Sequence, residues 1–289
     1  MILYGDKLAL TLQEEMRKEV AALAKSPSLA VILVGENPAS LAYIKRKQEA
    51  CLHVGIESKL IHLPSSTSEQ ELLIHLSRLN SDPDTDGIIV QLPLPPEIDP
   101  IRVIETIDPK KDVDGFHPEN LGKLVAGIKG GFIPCTPLGI QTLLVRNQIE
   151  TKGRHVVIVG RSTIVGKPLA SLLLRNEPGG NATVTVAHSQ TENLASLTKE
   201  ADILVAAVGK PRFLTSSMVK QGAVVIDVGI NRIEDPSTKS GYRLVGDVDF
   251  QNVEKICRAI TPVPKGVGPL TVAMLLRNTI ESAKRRRSS

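Results

Sequence analysis

The sequence predicts an α/β protein of two domains with mainly parallel sheets, and three observations carry that expectation. Short apolar runs recur down the chain, several ending at or near glycine, with segments of helical spacing between them. The run from Leu29 to Val34 is apolar without a break, as a strand buried on both faces requires. The 289 residues suffice for two cores, and a connector dense in Gly, Pro and Asp, residues 108–137, interrupts the alternation where a boundary would fall.

Residues 8–24 place Leu8, Leu12, Met16, Val20 and Leu23 at helical spacing, which predicts an amphipathic helix packed on the body of the protein. Strand 29–34 ends at Gly35; Asn37-Pro38 then supply an N-cap and a first helical residue, and the helix runs to a stop at Gly55. A second strand covers 58–63, and Ser68-x-x-Glu71 is a capping box opening a helix over 69–80. The third strand, 87–92, closes in the turn Pro93-Leu94-Pro95-Pro96. Beyond the connector, helix 138–149 leads to strands at 155–159, 182–188, 202–208 and 223–228, with a turn and helix in 243–257. A second connector, 260–269, precedes the last helix, 270–284. The predicted domains are 1–137 and 138–267, with the segment 268–289 packing back on the first.

The strand His155 to Val159 ends in Gly160-Arg161-Ser162-Thr163-Ile164-Val165-Gly166, and an apolar helix follows. Such a turn offers backbone N–H groups and the positive end of a helix dipole to a phosphate, so it predicts a Rossmann-type dinucleotide site. Ser162 replaces the middle glycine of the G-x-G-x-x-G pattern, and an ordinary strand-to-helix turn would look similar. At the end of the next strand an NAD-binding unit usually carries an Asp or Glu for the ribose 2′-hydroxyl, but this chain has His188-Ser189-Gln190. With no carboxylate there, and with Arg161 and Ser189 able to reach a 2′-phosphate, the expected cofactor is NADP rather than NAD.

Bulk properties exclude several classes of function. The net charge of +4 is mild, and part of it sits in Lys284-Arg285-Arg286-Arg287, read as a solvated, frayed helix end in preference to a nucleic-acid contact. Four Phe, three Tyr and no Trp leave little for base stacking. Three cysteines without a C-x-x-C pair argue against a disulfide framework and for a reducing compartment. No signal-peptide pattern or membrane-length apolar run occurs, so a cytoplasmic protein without a membrane partner is expected. Zinc-type Cys/His spacing, H-E-x-x-H, G-x-S-x-G and the Walker lysine loop are all absent, so no metal site is expected.

Four residues in the first domain could carry chemistry. Tyr43 and Lys47 share one helix face just past the carboxyl end of a buried strand, where α/β sheets bind ligands; alternatively Lys47 belongs with Lys45 and Arg46 to a solvated basic face. Gln91 is a polar amide closing an apolar strand, either a satisfied core residue or a site residue. Asp114, in a loop beside glycine, is either a turn former or a ligand-holding carboxylate.

Together these segments form a pattern. Asn37-Pro38-Ala39-Ser40-x-x-Tyr43-x-x-x-Lys47, Gly87-Ile88-Ile89-Val90-Gln91-Leu92-Pro93-Leu94-Pro95, Lys111-Asp112-Val113-Asp114-Gly115-Phe116 and Pro134-Cys135-Thr136-Pro137 are its first blocks. Gly160-Arg161-Ser162-x-x-Val165-Gly166-x-Pro168, Gly246-Asp247-Val248 and Thr261-Pro262-Val263-Pro264-x-Gly266-Val267-Gly268-Pro269-x-Thr271 complete it. In these blocks, in order from residue 37 to 271, the chain resembles bifunctional methylenetetrahydrofolate dehydrogenase/methenyltetrahydrofolate cyclohydrolase, the FolD family.

The resemblance implies a homodimer of two-domain subunits, a folate-binding catalytic domain (1–137) and an NADP-binding domain, with the active site in the cleft between them. It implies a catalytic Lys47, a Tyr43 packing and hydrogen-bonding beside it, a Gln91 that tunes it, and an Asp114 holding the pterin end of the folate. Gly160, Arg161, Ser162, Val165, Gly166, His188, Ser189 and Ile230 would bind the cofactor, and Gly268 and Pro269 would line the folate side. Two positions depart from the family pattern. Lys265 stands where glycine is usual, which implies a backbone there outside glycine-only conformations or a shifted loop. Gln190 stands where lysine or arginine often follows the serine.

The implied reactions are oxidation of 5,10-methylenetetrahydrofolate and hydrolysis of the methenyl product to 10-formyltetrahydrofolate. The first needs alignment of hydride donor and acceptor. The second needs a base for water, and a lysine serves only where its pKa falls by roughly three units. Desolvation and a cationic substrate both push that way. On the residues alone, three other readings stay open: a monofunctional methylenetetrahydrofolate dehydrogenase, an NADP oxidoreductase acting on a shikimate-like acid, and a non-enzymatic NADP-binding regulator.

Overall fold

The computed structural model describes residues 1–238 and 241–287. Its elements begin with α1 (Gly5–Ala21), β1 (Ser28–Val34), α2 (Pro38–Val54), β2 (Glu57–Leu63), α3 (Glu69–Ser81), β3 (Gly87–Val90), α4 (Pro100–Thr106) and α5 (Pro118–Ala126). They continue with α6 (Cys135–Arg146), β4 (His155–Val159), α7 (Gly166–Leu174), β5 (Thr183–Ala187), α8 (Leu194–Thr198), β6 (Ile203–Ala206) and β7 (Val224–Asp227). The last are β8 (Asn231–Glu234), β9 (Tyr242–Val245), α9 (Phe250–Val253), β10 (Ala259–Ile260) and α10 (Val267–Arg287). The chain forms two compact units, one of Leu10–Cys135 with Val272 onward, the other of Met1–Ala9 with Thr136–Thr271.

In the first unit a parallel sheet of order β2-β1-β3 has the fully apolar β1 at its centre. Ala30, Ile32 and Val34 pack with Leu72, Leu76 and Leu79 of α3 and Val103 of α4. The capping box of α3 forms: the Ser68 hydroxyl accepts from the Glu71 amide, and the Glu71 carboxylate accepts from the Ser68 amide at 2.8 Å. The same helix is closed at its far end by Lys111, 2% exposed, whose Nζ donates to the carbonyls of Leu79, Asn80 and Asp82 at 2.8, 2.7 and 2.7 Å. A cation at a helix C-terminus meets both the helix dipole and the orphan carbonyls.

The segment 108–137, read as loop, contains α5, and α4 lies just before it. Both helices carry a proline in the first turn, and the caps are Asp99 and His117. At seven and nine residues they are too short for apolar periodicity to reveal, although the cap-plus-proline signature was present.

The basic end of α10 is not the solvated, frayed segment expected. Arg286 Nη1 and Arg287 Nη2 both donate to the buried Asp86 carboxylate, at 3.1 and 2.6 Å. Arg287 also reaches the Lys25 and Ser26 carbonyls, and the Arg285 guanidinium lies 5.0 Å from the Phe132 ring centre. Unpaired, the Asp86 carboxylate would be costly to bury, and that cost fixes the helix end. Ser288 and Ser289 lie outside the described residues.

The second unit has a five-stranded parallel sheet of order β10-β7-β6-β4-β5. The expected strands are all present. The antiparallel pair β8–β9 was not foreseen, because strands of four residues with charged side chains among them give too short an alternation to read. The N-terminal residues also depart from the expected boundary, with Met1–Ala9 belonging to this unit. Leu3 N donates to Ile260 O at 2.8 Å and Ile260 N to Met1 O at 3.0 Å, so the chain start extends the sheet beyond β10.

Candidate active site

Helix α2 opens just after β1, with the Asn37 carboxamide oxygen accepting from the Ser40 amide at 3.3 Å. One turn separates Tyr43 from Lys47. Lys45 and Arg46 are exposed but Lys47 is only 6% exposed, so it does not belong to the solvated basic face. Its Nζ donates to Gln91 Oε1 at 3.2 Å. Gln91 is fixed in turn, its amide Nε2 donating to Leu92 O and its backbone N to Ile32 O, both at 2.8 Å. The Tyr43 ring centre lies 5.0 Å from the Lys47 ammonium, in cation–π range. Burial, reinforced by the nearby Asp114 carboxylate, raises the Tyr43 hydroxyl pKa, so the ring stays neutral.

Asp114 sits on a loop organised by its buried neighbour Asp112, which accepts from the Gly115 and His117 amides and from Asn120 Nδ2 at 3.2, 2.8 and 2.8 Å. Gly115 is obligatory here: its φ is +78°, and a Cβ would lie 2.7 Å from the Ile133 and Pro134 backbone. Ile88 N donates to Lys111 O at 2.8 Å, so the loop is pinned beside β3, the strand that leads into Gln91. Burial pushes the Asp114 carboxyl up to about 6, against the pull of Lys47 and with help from Asp112. Lys47, Tyr43, Gln91 and Asp114 therefore form one electrostatically coupled group.

Sequence reasoning missed a residue that supports this group. Asn278 of α10, 5% exposed, donates to Val113 O at 2.9 Å and to Ile133 O at 3.1 Å, clamping both sides of the Asp114 loop. Cys135 Sγ donates to the same Val113 carbonyl at 3.3 Å. Asn278 follows at helical spacing from apolar core positions; a polar residue at a core position was the available signal.

The glycine turn of the second unit has the predicted shape. A Cβ on Gly160 (φ +133°) would lie 2.1 Å from Ala207 O, and one on Gly166 would lie 2.0 Å from Gly160 O. Ser162 Oγ accepts from the Val165 and Gly166 amides at 3.2 and 3.4 Å, and its carbonyl accepts from Lys167 N at 3.0 Å. Arg161, Ser162 and Ser189 are exposed, and His188 Nδ1 accepts from Gln190 N at 3.2 Å. The compact turn opening helix α7, with exposed polar side chains around it, fits a dinucleotide phosphate.

Gly268 and Ile230, expected against folate and cofactor respectively, are neighbours: a Cβ on Gly268 would lie 3.5 Å from Ile230 Cδ1. Pro269 is half-buried and Ile230 is 58% exposed. The expectation that the backbone at Lys265 lies outside glycine-only conformations does not hold. Lys265 adopts the left-handed conformation itself, at φ +82°, while its carbonyl accepts from Asp6 N at 3.1 Å. Among the described residues no cluster of His, Cys, Asp or Glu is placed to hold a metal, and no helix is long and apolar enough to cross a membrane.

Two parallel-sheet units, one with a glycine turn opening a helix and the other with a buried lysine beside an amide and a carboxyl, define a two-domain α/β enzyme of the NAD(P)-binding class. The comparisons specify it further. Residues 3–114 match the family model described as tetrahydrofolate dehydrogenase/cyclohydrolase, catalytic domain, and residues 134–287 match that of its NAD(P)-binding domain. The chain belongs to the tetrahydrofolate dehydrogenase/cyclohydrolase family. It is 55% identical to the "Bifunctional protein FolD" of Chlorobium phaeobacteroides, over 98% of each chain. Among solved structures, the bifunctional FolD of Campylobacter jejuni is similar at 47% identity and a TM-score of 0.93, over 99% of each chain. The Trypanosoma brucei enzyme, described as complexed with NADP and an inhibitor, is 38% identical with a TM-score of 0.94, over 100% of this chain and 99% of that one.

Proposed function

We infer that the protein is a bifunctional one-carbon folate enzyme. It oxidises 5,10-methylenetetrahydrofolate to the 5,10-methenyl form and hydrolyses that to 10-formyltetrahydrofolate. The observation that carries the residue assignment is the buried Lys47 amine held 3.2 Å from Gln91 Oε1. A monofunctional dehydrogenase is not better supported, since the intact lysine group is what the hydrolytic step uses.

In the first step the bound dinucleotide supplies the hydride acceptor. The chain's own task is alignment: Asp114, ionised above about pH 6, accepts from the N–H donors of the pterin, and the Tyr43 ring packs beside the lysine. In the second step water attacks the methenyl carbon and Lys47 takes its proton. The carbinolamine hydroxyl then gives up its proton as the carbonyl forms, and the C–N5 bond breaks with its electron pair going to N5. N5 takes up a proton from the protonated Lys47, and the formyl group stays on N10. Gln91 fixes the lysine in line with the water by accepting one of its N–H bonds, and burial removes competing solvent. Lys47→Ala is expected to lower the hydrolysis rate by at least about 10²-fold; near-normal hydrolysis would remove Lys47 from this role.

NADP is the preferred dinucleotide in this reading, supported by His188-Ser189-Gln190, without a carboxylate, directly at the end of β5 and by the exposed Arg161 and Ser189. Gly160, Ser162, Val165, Gly166, His188 and Ile230 shape the cofactor site in this reading, and Gly268 and Pro269 line the folate side. Family membership also supports a cytoplasmic homodimer. A spectrophotometric assay with methylenetetrahydrofolate and NADP or NAD tests the function, following reduced cofactor and methenyl intermediate separately. The expected result is faster reduction of NADP, with methenyl consumed above its uncatalysed rate. Methenyl accumulating and decaying at the uncatalysed rate would leave a dehydrogenase alone.

A further inference from the structure

At the carboxyl ends of β6 and β7 two buried aspartates lie back to back and take no part in the chemistry above. Asp247, fully buried, accepts through Oδ2 from the Val208 and Gly209 amides at 2.7 and 2.9 Å, and through Oδ1 from Asn231 Nδ2 at 2.9 Å. Asp227, 2% exposed, accepts through Oδ1 from the Gly229 and Asp247 amides at 3.0 and 2.9 Å, and through Oδ2 from Val248 N at 3.0 Å. The backbone is shaped around these carboxylates. A Cβ on Gly246 would lie 1.8 Å from Asp227 Oδ2, and one on Gly229 would lie 2.2 Å from Asp247 Oδ1.

The place in the sheet gives this pair its meaning. In the order β10-β7-β6-β4-β5 the chain reverses direction between β4 and β6, and α/β sheets bind ligands outside the carboxyl ends of the strands at such a reversal. The segment 207–209 forms one wall of that point. Ala207 N donates to Val159 O at 2.8 Å, and the Ala207 carbonyl is what excludes a side chain from Gly160. Asp247 holds this wall by its next two amides, and by Asn231 holds the loop that presents Ile230.

We propose that Asp247 is a positioning residue for the dinucleotide, its carboxylate tying the 207–209 wall and the 228–231 loop into the shape the cofactor enters. The proposal rests on the NADP-binding reading above. A carboxylate suits the task because it accepts three hydrogen bonds from two directions while donating none. Removing it strands two backbone N–H groups, which then turn toward solvent or one another.

The test measures NADP and tetrahydrofolate binding separately on the purified protein by titration calorimetry, with thermal unfolding alongside. Asp247→Ala is expected to raise the NADP Kd at least about tenfold while folate binding stays within about twofold. Asp247→Asn keeps one acceptor oxygen for Val208 and Gly209, and the Asn231 amide can turn to accept from the new amide. It is therefore expected to recover NADP binding to within about threefold of the wild type. Wild-type NADP affinity in a cooperatively folding Asp247→Ala protein would overturn the proposal, as would equal losses in the Ala and Asn variants. If Asp247→Ala does not fold, Asn231→Ala deletes a single bond of the network. A weakened NADP affinity at unchanged folate affinity then supports the proposal, and no change overturns it. A wild-type protein that fails to bind NADP would remove the cofactor reading itself before any variant is compared.

Discussion

Asp114 and Lys265 show opposite ways in which a single residue is set by its surroundings. Burial raises Asp114 to about 6, so the folded protein holds its proton more tightly than the unfolded chain does. Its contribution to stability is accordingly present below the ordinary carboxylate range and is lost as pH rises through about 6. In the proposed folate-holding role of Asp114 the dependence runs the other way, because the ionised carboxylate is the better acceptor. Affinity for tetrahydrofolate is expected to fall as pH drops through 6, and Asp114→Asn should flatten that dependence; a titration of Kd against pH in both proteins checks it. At Lys265 a side chain occupies a left-handed backbone that glycine adopts freely. Lys265→Gly should raise stability by up to about 1 kcal/mol, with the entropy of the freer unfolded chain offsetting part of the gain. A lower Tm for the glycine variant would mean that the lysine side chain contributes more than the backbone conformation costs.

At the scale of elements, helix α10 contributes more than apolar packing. Asn278 and Ser282 stand one turn apart on its buried face and satisfy backbone carbonyls that the neighbouring loops leave open: Val113 and Ile133 for the first, Asp86 and Lys110 for the second. The Asp114 loop thus takes its shape from a helix that lies far along the chain. Asn278→Leu keeps the volume but takes the donor from the Ile133 carbonyl and leaves that of Val113 to the weaker Cys135 thiol, and should cost about 2 kcal/mol in denaturant unfolding. It should also raise the KM for the folate substrate more than that for NADP; equal changes in the two constants would show a purely global effect.

For the molecule as a whole, the last turn of α10 acts as a fastener for the unit that carries Lys47. Replacing Arg286 and Arg287 together by Ala leaves the Asp86 carboxylate with the Ser28 amide, at 3.0 Å, as its remaining donor among the described residues. Urea unfolding should show a loss of at least about 2 kcal/mol, and adding Asp86→Asn should restore part of it. A double variant as stable as the wild type would mean that the guanidinium groups only decorate the surface.

The parallel sheets and most helices were legible because their signals are local: unbroken apolar runs, a capping box at Ser68, a glycine turn at Gly160. The short helices α4 and α5 were not, because seven to nine residues give too few turns for periodicity to show. Of the candidate site, the sequence by itself singled out Tyr43, Lys47, Gln91 and Asp114 by type and position, each beside an ordinary structural reading. Only the tertiary structure decided that Lys47 stands apart from the solvated basic face. Lys47 is buried against an amide while Lys45 and Arg46 on the same helix are exposed, and the carboxyl of Asp114 is shifted by that burial. The structure likewise decided that a basic tail is an anchor and that Asn278 and Asp247 shape loops distant in sequence. The physical reason is that burial and hydrogen-bond satisfaction depend on groups brought together across the fold, which composition and spacing along one segment do not encode.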